Sequence, residues 1–279
     1  MDKSLWRSAL RAIAALACTL AWTGGADAVV NVTACGTLGE FRQTYNVTTD
    51  LHADGGDCLV VANNGITINL QGHSIIQDTP TPFGSGVTDG GIVRDQTTVK
   101  NGTVTGFVFG VELDSSTRSQ VLNVTVSESL LDGILVGTGA LVKGATAQDN
   151  GFGSIVGGDG IHGADNVQVQ TSVATNNGAN GIRVGQRCLI TQNKAEENFE
   201  DGINTGASCT ITSNTASNND DDGIDVTASG ALVSLNHVND NFDVGIRVVC
   251  RSTVTNNQAS GNGTQFQFIG SGCVTNQAM

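Results

Sequence analysis

The chain is short of the residues from which globular cores are usually built. Aromatic residues make up only 4% of its 279 positions, with a single tyrosine, and there are only 2 prolines. That scarcity argues against a core of large interlocking rings. It suits a stack of thin layers, each burying small aliphatic groups against the next. Positive charge is also scarce. Thirteen lysines and arginines face 26 aspartates and glutamates, for a formal net charge of −13. Nucleic acid is therefore excluded as a partner, because phosphate binding needs a basic surface. The same charge disfavours unassisted binding of polyuronates. No apolar run is long enough to span a bilayer. Hydrophobic residues still reach 39%, and glycines number 37.

Residues 1–28 read as a secretory leader. Lys3, Arg7 and Arg11 give a basic start, Ala9 to Ala21 is mostly apolar, and Ala26-Asp27-Ala28 places small residues where a signal peptidase cuts. Lipidation at Cys18 is the alternative, with Ala15 where a leucine is expected. A secreted protein, extracellular or periplasmic, follows. Six cysteines lie beyond the leader, and an even count outside the cytosol suggests disulfides. The local pairings Cys35–Cys58, Cys188–Cys209 and Cys250–Cys273 are the easiest of fifteen possible ones, although Cys188 and Cys209 also fit as buried thiols. No spacing resembles a zinc ligand set.

Fixed-period self-similarity organises the rest. A Gly-Ile pair recurs at 181, 202, 223 and 245, in steps of 21, 21 and 22. Asn177, Asn198, Asn219 and Asn241 keep the same steps, and Asn193, Asn214, Asn236 and Asn257 form a second set. Such a period marks a solenoid. Aliphatics flank Arg183, Asp225 and Arg247, an alternation that turns the middle residue outward. The repeated asparagines predict amide ladders along the stack, and glycine before the isoleucine suits a corner with positive φ. We expect an all-β, right-handed, single-stranded parallel β-helix over 55–279, about ten coils, with 29–54 as an N-terminal lead-in or cap.

The Asp-Gly-Ile corners at 132–134, 159–161, 201–203 and 222–224 carry a resemblance, together with the asparagine ladders, Asn69-Leu70-Gln71-Gly72-His73 and Lys100-Asn101-Gly102-Thr103-Val104. The chain resembles the right-handed parallel β-helix repeat proteins of the pectate-lyase-like superfamily. That resemblance implies a polysaccharide or surface glycan as partner. It leaves two readings open. One is carbohydrate binding without turnover. The other is a polysaccharide-active enzyme of the lyase, glycoside hydrolase or uronate epimerase type. Asp222-Gly223-Ile224-Asp225 looks like one piece of the polygalacturonase pattern, but that pattern's paired aspartates and Gly-His-Gly are missing.

Two outward ladders carry the candidate residues. Glu200, Asp221 and Asp243 follow their ladder asparagines by two and would stack about 5 Å apart. Carboxylates so close suit calcium, a glycosidase pair or a solvated acidic face. The second ladder is His162, Arg183, Asn204, Asp225 and Arg247. Asp221, Asp222, Asp225 and Arg247 are the catalytic candidates. Arg183, Asn204, Asp225, Arg247 and Phe152 are the substrate-binding candidates. Phe152 lies in an insertion, 151–158, where the step from ladder Asn to corner Gly lengthens from four residues to ten. Insertions in a solenoid project on one face, often the binding face. Oligomeric state is left open.

Overall fold

The computed structural model describes residues 29–79, 81–152 and 157–276. The leader therefore lies outside the described residues. Every regular element is a short strand, and every pairing between strands is parallel. An 11-stranded sheet runs the length of the molecule, one strand per coil, and a further 20 strands form the other faces. The chain is thus a parallel β-helix of about eleven coils. Segment 29–54 also carries strands, which pair in parallel with the coils that follow: Thr44–Val47 with Thr67–Asn69, and Leu51–Ala53 with Ser74–Gln77.

Register follows the repeat. Ile161, Ile182, Ile203, Ile224 and Ile246 are successive Cα partners, all fully buried. Val142, Val169, Ile190, Ile211 and Val233 form a matching column on another face. Burying each such side chain contributes about 2 kcal/mol. Aliphatic columns fill most of the narrow interior, with Tyr45 and Phe107 as the buried rings among the described residues.

Both asparagine ladders form. Asn219 Nδ2 donates to Asn241 Oδ1 at 2.8 Å and to the Ala195 carbonyl at 3.2 Å. Its Oδ1 accepts from Asn198 Nδ2 at 2.9 Å and from the Asn198 backbone amide at 3.1 Å. Asn193, Asn214, Asn236 and Asn257 repeat the arrangement at another corner. Cys35–Cys58, Cys188–Cys209 and Cys250–Cys273 each join adjacent coils, with Cα atoms 4.5, 4.5 and 4.6 Å apart.

The corner glycines have a different cause from the expected positive φ. Gly181, Gly202, Gly223 and Gly245 all have ordinary φ. A Cβ on Gly223 would lie 2.2 Å from Val238 Cγ1 and 2.6 Å from Asn241 Nδ2, so a close approach excludes it. The left-handed bend is made one residue before each ladder asparagine, by Asn176, Glu197, Asn218 and Asp240 at φ 54–57°.

Asn219→Ala would remove four hydrogen bonds inside the stack and leave the Asn198 backbone amide without its side-chain acceptor. Each buried orphan costs about 1–3 kcal/mol, and partial relaxation lowers the sum. A loss of about 3 kcal/mol in chemical denaturation is the expected outcome. A loss below about 1 kcal/mol would show that the ladder is not a main source of stability.

Candidate functional site

The outward ladder of the 11-stranded sheet has the register expected from the sequence. Leu135, His162, Arg183, Asn204, Asp225 and Arg247 are successive Cα partners. Strand spacing sets them about 4.8 Å apart.

A second column lies beside it, formed by the residue before each corner glycine: Asp132, Asp159, Asn180, Asp201 and Asp222. Each uses Oδ1 to accept the backbone amide of its counterpart on the next coil. Asp132 accepts from Asp159 at 2.8 Å, Asp159 from Asn180 at 3.0 Å, Asp201 from Asp222 at 3.0 Å and Asp222 from Val244 at 2.9 Å. Asp159, Asn180, Asp201 and Asp222 are buried. The corner thereby satisfies a backbone donor and leaves the second carboxylate oxygen for the outer face.

Two charged clusters result. In the first, His162 Nδ1 donates to Asp132 Oδ2 at 3.0 Å and lies 3.5 Å from Asp159 Oδ2. Arg183 Nη1 is 3.8 Å from the same Asp159 oxygen. The bond to Asp132 raises the His162 pKa against an opposing effect of burial. Burial, then the charge of Asp132, raises that of Asp159. These groups face a cleft of about 480 Å³, bounded also by Leu131, Leu135, Gly157, Gly158 and Glu200. Asn180 Nδ2 ties Glu200 Oε2 (3.0 Å) to Asp159 Oδ1 (2.9 Å).

In the second cluster, Arg247 makes a two-point contact with Asp225, Nε to Oδ1 at 3.0 Å and Nη2 to Oδ2 at 3.1 Å. Arg247 Nε is also 2.8 Å from Oδ2 of the fully buried Asp222. The single Nε proton is directed at Asp225, so Asp222 Oδ2 gains a neighbouring positive charge but accepts no hydrogen bond. Asn204 Nδ2 donates to Asp201 Oδ2 at 2.7 Å. Burial lifts Asp201 to about 7 and Asp222 to about 6. The bond to Asp225 raises Arg247 further.

The candidates from sequence are thus distributed unevenly. Asp222, Asp225 and Arg247 meet in one cluster, with Asn204 bonded to the adjacent Asp201. Arg183 belongs to the His162 cleft. Asp221 shares a possible ligand group with Asp201 and Asp222, whose carboxylate oxygens lie within 4.8 Å of one another, and not with Glu200 and Asp243. The guanidinium against Asp222 already supplies positive charge there, which opposes calcium. Asp132, Asp159 and His162 form the other such group among the described residues. Phe152 rests edge-to-face on Phe199, ring centres 5.3 Å apart. Of the insertion, Gly157 and Gly158 wall the cleft, while 153–156 lie outside the described residues.

Sequence reasoning missed Asp132 and Asp159, and took His162 only as a rung. The recurring Asp-Gly-Ile was a usable signal. It was read as a turn, whereas a repeated acid at a solenoid corner also fills a repeated buried position.

The family described as right handed beta helix region matches residues 94–263. Among solved structures, the A-module of the mannuronan C-5 epimerase AlgE6 from Azotobacter vinelandii superposes with a TM-score of 0.71 at 13% identity, over 91% of each chain. The Dettilon tailspike protein gp208 gives 0.57 at 15% identity, over 87% of this chain and 62% of that one. The periplasmic alginate epimerase AlgG gives 0.52 at 13% identity, over 90% and 76%. No curated protein sequence matches. At these identities the likeness is one of fold.

Arg247→Met would leave Asp222 and Asp225 buried without their cation. Breaking such a pair costs about 3 kcal/mol, to be read by denaturation at pH 8, and the loss should shrink near pH 5. Asp201 gives a separate pH signature. An acid whose pKa is raised by folding holds its proton more tightly in the folded chain, so its contribution to stability falls as pH rises from about 4 to about 7. Asp201→Asn removes that contribution, and Asn180 shows that an amide fits the column. Melting temperatures across this window should fall less in the variant, and parallel curves would refute the assignment.

Proposed function

The chain belongs to the right-handed β-helix family, and from that premise we propose that it is a secreted protein that binds a polysaccharide along the outer face of its 11-stranded sheet. The His162 cleft is the centre of that face. The carrying observation is the convergence of Asp132, Asp159, His162 and Arg183 from three successive coils on one open cleft. A sheet whose outward rungs recur at a fixed spacing along a straight axis offers a linear polymer polar and charged groups at regular steps. Two of the similar structures are named for action on mannuronan and alginate, which supports a carbohydrate ligand. Three disulfides support an oxidising compartment. Arg183, Asn204, Asp225, Arg247 and Phe152 are the contacts proposed along the face.

One observation favours catalysis as a second reading. A half-buried histidine held by one carboxylate and close to another is suited to move a proton in either direction near neutral pH. In that role His162 exchanges the proton with substrate, Asp132 fixes the ring, and Arg183 offsets the charge of Asp159. On this reading the second cluster, Asp222, Asp225 and Arg247, positions the polymer away from the reacting centre.

Purified protein incubated with plant, algal and bacterial polysaccharides separates the two. Reducing ends report hydrolysis, ultraviolet absorbance reports unsaturated lyase products, and solvent deuterium at a ring carbon reports epimerisation. If turnover occurs, His162→Ala should lower it at least a hundredfold while the protein still unfolds in one cooperative transition. Binding without any of these products leaves the first reading standing. No binding to any member of the panel removes both.

A further inference from the structure

We propose that Phe199 and Phe242, each followed by an acid, form a stacking strip parallel to the solenoid axis that selects a neutral polysaccharide over a polyuronate. This rests on the carbohydrate-binding reading above and adds the class of ligand.

The strip starts from a cost. A chain with only nine phenylalanines leaves Phe199 55% and Phe242 82% exposed. Both occupy one position of the repeat, directly after a buried ladder asparagine. Their backbone amides donate to the asparagine carbonyls one coil earlier, Phe199 to Asn177 and Phe242 to Asn219, each at 3.0 Å. The ladder therefore holds both Cα atoms rigidly, and little order remains to be imposed when a ligand arrives. Phe152 braces the Phe199 ring edge-to-face.

Spacing points to the ligand. The same repeat position holds Gly178, Phe199, Asp220, Phe242 and Gly263 in turn. The rings thus sit on alternate coils, about 9.6 Å apart along the axis. An extended chain of equatorially 1,4-linked pyranoses turns over at each unit, so alternate sugars present the same apolar C–H face. One such face can lie on each ring, and the intervening sugar passes over Asp220.

Charge then selects. The next position carries Glu200, Asp221 and Asp243, one per coil. Backbone amides keep the row in line, with Asp243 N donating to the Asp221 carbonyl at 3.2 Å. Carboxylates beside a stacking ring accept hydrogen bonds from sugar hydroxyls, and they repel a uronate at every step. The strip is continuous with the cleft, because Glu200 belongs to both.

The test is calorimetric titration with β-1,4-linked glucose and mannose hexamers and with a mannuronate hexamer. Three proteins are compared: wild type, the double variant Phe199→Ala/Phe242→Ala, and Phe41→Ala, which removes an exposed ring far from the strip. A neutral hexamer should bind at least tenfold more tightly than the mannuronate hexamer. The double variant should lose at least tenfold, and Phe41→Ala should lose nothing. Phe199→Trp, with its larger face, should retain affinity, which guards against a folding artefact. Neutral binding untouched by the double variant, or tighter binding of the uronate hexamer, overturns the strip and leaves the carbohydrate reading intact. Failure of every hexamer, together with every polymer of the earlier panel, overturns both.

Discussion

The whole structure depends on how polar corners are satisfied when coils stack. A parallel solenoid buries its turns, and a buried amide without partners is costly. The asparagine column answers this with one side chain per coil. Asn198, Asn219 and Asn241 each accept from the coil before and donate to the coil after. Each rung is useful only when its neighbours are present, so the stack is cooperative and its pitch is fixed. The fixed pitch lets residues 21 or 22 apart act as a single surface.

The acidic column beside it is a variation on the same solution. At the position before each corner glycine, an aspartate Oδ1 accepts the backbone amide of the next coil. Structurally an asparagine would serve equally, as Asn180 does between Asp159 and Asp201. The acid adds a second, chargeable oxygen held at a known place. Its burial raises the pKa of Asp159, Asp201 and Asp222, and it draws His162 and Arg247 inward from the neighbouring ladder. Both charged clusters are therefore products of a structural device.

This explains what could be read in the sequence. Period and alternation determine register, so the aliphatic columns, both asparagine ladders and the order His162, Arg183, Asn204, Asp225, Arg247 were all legible, while the three disulfide pairings were the favoured local ones, with buried thiols left open at Cys188 and Cys209. Direction within a corner was not. Whether Asp159 points into the stack depends on the offset between coils, and no period encodes that offset. For the same reason Gly223 looked like a positive-φ turn residue when its role is to clear the Asn241 amide. Glu200, Asp221 and Asp243 form one row by spacing, and their side chains take different partners within it: Asn180 engages Glu200, and the Asp221 carboxylate comes within 4.8 Å of those of Asp201 and Asp222.

A perfectly regular solenoid has no preferred point along its axis, and any polymer bound to it could slide. Two breaks in the repeat remove that degeneracy. The first is the long step from Asn150 to Gly160, where Gly157 and Gly158 raise a wall beside His162 and turn a flat face into a cleft. The second is compositional, since the outward rung changes from His162 and Arg183 to Asn204, Asp225 and Arg247. The regular part supplies distance and rigidity, and the irregular part supplies position. For a ligand that follows the axis as proposed, residues at the break would govern where it binds and residues along the rungs how tightly.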